Sequence, residues 1–87
     1  MKTINVYVGK KDIKKGVSGS CSKCPIALAL NKKGFRVDVL MTLVKFFDAQ
    51  GTRVGAANLP LTAVDFVRNF DGDSPVKPFS FRIKAPV

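Results

Sequence analysis

The stretch Cys21-Ser22-Lys23-Cys24-Pro25-Ile26-Ala27-Leu28-Ala29-Leu30 decides how the rest of the chain must be arranged. It holds both cysteines and joins a Ser18-Gly19-Ser20 loop to the one run able to form a fully buried helix. Pro25 suits the first helical position, because its missing N–H is one the helix could not have paired. That makes Cys24 the N-cap. Ile26 to Leu30 are apolar on every side, a pattern of burial rather than of a surface helix. Asn31-Lys32-Lys33-Gly34 then closes the helix, with basic residues in the last turn and a glycine suited to the left-handed C′ position.

Toward the N-terminus, Ile4, Val6 and Val8 alternate with Asn5 and Tyr7, which predicts a half-buried strand. Lys10 to Gly16 fits one helical turn, with Asp12 near its start, Ile13 as its core anchor and Gly16 as its stop. Toward the C-terminus, Phe35, Val37, Val39 and Met41 repeat every second residue as a second strand. Apolar residues continue through Phe47, too far for one flat strand, so a bend near Thr42-Leu43 starts a third. Asp48-Ala49-Gln50-Gly51 reads as a hairpin turn into a fourth strand, Thr52 to Ala56. Thr62 is the expected cap of a second long helix, with Asp65 at N3 and with Ala63, Phe66, Val67 and Phe70 on one face. Asp71 to Pro75 breaks that helix, and Phe79, Phe81 and Ile83 alternate in a last strand. The order β-α-β-β-β-α-β predicts a single α+β domain over residues 1–87. Its sheet is small and antiparallel, of four to five strands, with two helices packed on one face.

Bulk properties narrow the function. No apolar run reaches the ~18–20 residues that span a bilayer, and Met1-Lys2-Thr3-Ile4-Asn5-Val6 lacks an apolar signal core. A cytoplasmic protein with no membrane partner is expected. Fifteen Lys and Arg against six acids, all aspartate, give a formal charge of +9. The imbalance is concentrated in residues 1–36, where nine basic residues face the single acid Asp12. Such a field attracts polyanions: nucleic acid or the acidic face of a protein.

The candidate binding residues are Lys10, Lys11, Lys14, Lys15, Lys23, Lys32 and Lys33. Spacing puts Lys11, Lys14 and Lys15 on one side of a helical turn. Ser18-Gly19-Ser20 adds hydroxyls and N–H groups beside a helix start, a setting that favours phosphate, although the chain has no P-loop pattern. Apart from Tyr7 and Phe35 this region has no aromatic side chains for stacking, so backbone-level attraction is what the sequence supports.

Cys21-x-x-Cys24 has three readings. Tetrahedral zinc needs four ligands, and two cysteines with no histidine supply half a site, which two chains could share. A redox pair at a helix start would have a lowered thiol pKa, but the chain has no tryptophan and lacks the thioredoxin pattern around the pair. The third reading is structural, with Cys24 capping and filling space. No histidine and no glutamate are present for acid–base catalysis, so no enzyme, catalytic residue or cofactor is implied. Self-assembly is a further possibility, because Thr52 to Ala56 is a short strand defended by Arg53 alone.

Asp-Ile-x-x-Gly at 12–16, Cys-Pro-Ile-Ala-Leu-Ala-Leu at 24–30, Phe-Asp-Gly at 70–72 and Pro-Phe-Ser-Phe at 78–81 together resemble a group of short uncharacterised proteins encoded in tailed-phage genomes. The resemblance covers about residues 12–83, and its motifs mark structure rather than a catalytic or binding residue. It implies a small accessory protein of the host-interaction kind, an inhibitor or anti-defence factor acting in the host cytoplasm. Its partner would be an acidic host protein or a nucleic-acid-containing complex.

Overall fold

The computed structural model describes residues 2–86. Its elements are β1 (Lys2–Val8), α1 (Lys10–Lys15), α2 (Pro25–Lys32), β2 (Arg36–Val39), β3 (Leu43–Phe47), β4 (Arg53–Asn58), α3 (Leu61–Asp71) and β5 (Phe79–Ala85). The α+β class holds, and the helical turn expected at residues 10–16 is a third helix. The five strands do not form one sheet. β1 and β5 pair antiparallel along their whole length, from Lys2 opposite Ala85 to Val8 opposite Phe79. β2, β3 and β4 make a separate antiparallel meander. Where the two sheets approach, the Pro86 ring lies against Gly55 of β4. Proline has no N–H to donate, so the contact is made by packing rather than by continuing a ladder. Gly55 is paired with the buried Phe46, so the proline packs on the inner face of β4.

α2 is the centre. Ile26, Ala27 and Leu30 have no exposed surface, and the helix packs against β1, β2 and α1. Val6, Val8, Val44 and Phe46 close on it from the two sheets and are equally buried. Leu28 departs from the expected all-round burial: it is half-buried, because the six residues of α1 cover only part of that side.

The ends of α2 follow its local chemistry. Cys24 takes the extended N-cap conformation before Pro25. At the other end Gly34 has φ +96, Gly34 N–H donates to the Asn31 carbonyl, and Phe35 N–H donates to the Leu30 carbonyl. This pair of bonds is a Schellman motif. α3 ends the same way, with Asp73 at φ 60 donating to Phe70 and Ser74 donating to Asn69.

The start of α3 differs from the expectation. Thr62 is not the cap: the Pro60 carbonyl accepts the N–H groups of both Ala63 and Val64, so the helix begins two residues earlier, with Pro60 as N-cap. Phe70, Phe66, Phe79 and Phe81 then form a continuous stack between α3 and β5, with successive centroids 6.2, 4.6 and 5.5 Å apart. β2 ends at Val39, and Met41 is exposed on the turn into β3, where Leu40 N–H donates to Leu43.

These contacts rank the substitutions. Leu30→Ala should cost ~2–5 kcal/mol, and Leu28→Ala less, because Leu28 already meets water. Gly34→Ala should cost about 1 kcal/mol through its φ alone, since a β-carbon there meets nothing within 4 Å. Denaturant melts would show the order, and a Leu28→Ala variant as unstable as Leu30→Ala would contradict it.

Candidate polyanion-binding surface

α1 is too short to be stable alone, and isolated helices below about 12–15 residues are marginal. Two contacts hold it antiparallel to α2. At one end a β-carbon on Gly16 would fall 2.6 Å from the Pro25 ring, so only glycine permits this approach. At the other end Asp12 is buried, at 4% exposure, although the sequence suggested only Ile13 as an anchor. Its carboxylate accepts the Gly9 N–H at 3.0 Å and lies 2.8 Å from the Lys32 ammonium.

With Asp12 and Ile13 turned inward, the four lysines of α1 occupy an arc of about 140° at 100° per residue. All four are exposed. Lys11 and Lys15 join Lys32, Leu28 and Asn31 around a shallow depression of about 350 Å³, with Asp12 in its lining. Lys10 and Lys14 lie on the outer flank of the same helix, and Lys33 follows Lys32 at the end of α2. Lys23 lies in the loop that joins the two helices, and its carbonyl accepts the N–H of Val17, two residues beyond Lys15, at 2.8 Å. Six of the seven predicted lysines therefore lie on α1 or at the end of α2, and the seventh lies in the connection between them.

Sequence reading missed Arg82 and Lys84. They are exposed on β5, opposite Asn5 and Thr3 of β1. The alternation of β5 predicts their outward direction, but only the β1–β5 pairing brings residues 82 and 84 beside the N-terminal strand. The acids lie elsewhere. Asp38 is opposite Lys45 in the three-stranded sheet, and Asp48 accepts the N–H groups of Gln50 and Thr52 in the hairpin turn. Asp65, Asp71 and Asp73 belong to α3 and its end.

The Ser18-Gly19-Ser20 loop is not free to cradle phosphate. Gly19 N–H donates to the Asp71 carboxylate at 3.0 Å, Ser18 donates to the Asp71 carbonyl, and Ser20 Oγ accepts the Lys23 N–H. An internal carboxylate already fills the place a phosphate would take.

Both cysteines are free thiols, Cys21 exposed and Cys24 buried. With Met41, Val67 and Asp71 they line a cavity of about 170 Å³. The Cys21 carbonyl is fixed by the Val39 N–H at 2.8 Å. Burial pushes the Cys24 thiol above its ordinary pKa, and the N–H groups of Ala27 and Ile26 oppose that shift without overcoming it. The helix-start effect that would make a thiolate is thus outweighed by desolvation. Among the described residues no three His, Cys, Asp or Glu side chains are grouped to hold a metal.

Compared with known protein families, with curated proteins and with solved structures, the chain matches none.

Two outcomes follow from the geometry. Asp12→Ala removes a buried acceptor and cap together and should destabilise the fold by about 1–3 kcal/mol. Chemical denaturation would measure that loss, and wild-type stability would remove Asp12 from its anchoring role. The Cys24 thiol holds its proton more tightly folded than unfolded, so its contribution is full below the ordinary thiol value of 9.0 and is lost as pH rises through the higher folded value. The stability of wild type should therefore fall more steeply above pH 9.0 than that of Cys24→Ala. Parallel slopes in denaturant melts across that range would refute the assignment.

Proposed function

We propose that this chain is a non-enzymatic binding module whose basic surface engages a polyanionic target, either nucleic acid or the acidic face of a protein. The observation that carries the reading is the segregation of charge. Six exposed lysines of α1 and α2 share one region, and its only acid is buried and paired with Lys32. In a surface charged merely for solubility, acids and bases would be interspersed. The absence of histidine and glutamate supports a binding role over catalysis. The likeness to short tailed-phage proteins adds a setting: an accessory factor that engages a host complex in the host cytoplasm, as an inhibitor or anti-defence protein.

Retention on heparin and on immobilised nucleic acid tests the surface directly. At ~50 mM salt the Debye length is long and retention should be firm, and it should fall steeply as salt rises. Lys11→Ala with Lys15→Ala should elute at clearly lower salt with unchanged stability, since exposed substitutions usually stay within about ±0.5 kcal/mol. If the double variant elutes with wild type, the α1–α2 surface is not the binding site.

A further inference from the structure

We propose that the outer face of β1 and β5, continuous with the start of α1, binds single-stranded nucleic acid, with Tyr7 stacking on a base. This rests on the basic-surface reading and adds the class of partner to it.

The alternation of β1 turns Ile4, Val6 and Val8 into the core and leaves Thr3, Asn5 and Tyr7 outside. Opposite them on β5 stand Lys84, Arg82 and Ser80. Tyr7 is 60% exposed, whereas all seven phenylalanines are buried or half-buried. The exposed aromatic is therefore not surplus core; its neighbour across the ladder is the small Ser80, which leaves the ring uncovered. The ring lies close to Gly9, where a β-carbon would come within 3.1 Å of it. Tyr7 thus stands between the cations of β5 and the lysines that begin at Lys10.

No aspartate lies on β1 or β5, and the one on α1 is buried. An anionic chain laid along this face would meet Lys84, Arg82, the tyrosine ring and then Lys10 and Lys11, with no acid in its path. Cations that follow a backbone, with an aromatic ring among them, are the two parts of sequence-tolerant single-strand recognition. A duplex keeps its bases stacked inside and gives the Tyr7 ring nothing to stack on. An acidic protein would use the cations and leave the ring without a specific partner. Thr3, Asn5 and Ser80 add hydroxyl and amide groups that can donate to or accept from base edges.

The chain has one tyrosine and no tryptophan, so a tyrosine-labelled sample reports on this ring alone. Four probes separate the possibilities: an oligothymidylate of roughly 12 nucleotides, a duplex with the same number of phosphates, inorganic polyphosphate and a poly-aspartate peptide. The oligothymidylate should bind most tightly and move the Tyr7 ring-proton resonances upfield. Tyr7→Ala should weaken that binding roughly 5- to 100-fold while leaving polyphosphate binding unchanged, and Tyr7→Phe should retain it. Equal affinity for strand, duplex and polyphosphate, with the ring resonances unmoved, would overturn the single-strand site and leave the basic surface standing. Tighter binding of poly-aspartate would overturn it in favour of an acidic protein, and no binding of any probe would overturn both readings.

Discussion

The buried carboxylate of Asp12 is the constraint on which the arrangement of the basic surface depends. A charge taken out of water is tolerated only when it is paired and hydrogen-bonded, and Asp12 has the Gly9 N–H and the Lys32 ammonium. Those two partners come from the end of β1 and the end of α2. Satisfying one side chain therefore fixes where the first strand stops, how α1 begins and how α1 lies on α2. The four lysines of α1 are carried outward as a consequence. Lys32 remains more than half exposed while making this bond, with 62% of its side chain open to water. It serves the fold and the surface together, whereas Lys11 and Lys15 belong to the surface alone.

What could be read from the sequence was local. Pro25 and Gly34 state the start and stop of α2 because the proline N–H and the glycine φ are properties of single residues. The alternations of β1 and β5 survive intact for the same reason: a period of two is visible without knowing the partner strand. Tertiary partners could not be read this way. Asp12 looked like an ordinary first-turn acid, since its ammonium lies 20 residues away. The loop at Ser18 to Ser20 looked open to phosphate, since the carboxylate that fills it lies 52 residues beyond Gly19. Thr62 looked like a cap because Thr-x-x-Asp is a capping pattern, but Pro60 already had the extended conformation and the free carbonyl that a helix start needs.

The division into two sheets shows the same limit at larger scale. Strand count and direction follow from periodicity and turns, whereas which strands share hydrogen bonds depends on how α2 is surrounded. The N- and C-terminal strands close on each other across the whole length of the chain, and this places Arg82 and Lys84 beside Asn5 and Thr3. The candidate surface is therefore only partly a property of the basic N-terminal third. Its lysines are local, but its extension onto the β1–β5 face exists only in the folded protein.

The charge distribution on α1 does not serve the stability of that helix. Lys10 with Lys14 and Lys11 with Lys15 are like-charge pairs at i,i+4, a spacing that weakens a helix. Alanine or glutamate at any of these exposed positions would relieve the repulsion without touching the core. The acids needed for that relief are present in the chain, but they sit on α3, in the β3–β4 turn and in the β2–β3–β4 sheet. A six-residue helix held by one ion pair, one glycine contact and Ile13 thus carries uncompensated repulsion on its outer face. A polyanion bound there would remove that repulsion, so the folded state and the complex favour the same arrangement of α1 on α2. Binding at this surface and the stability of α1 are linked: whatever neutralises these lysines must also strengthen the helix that presents them.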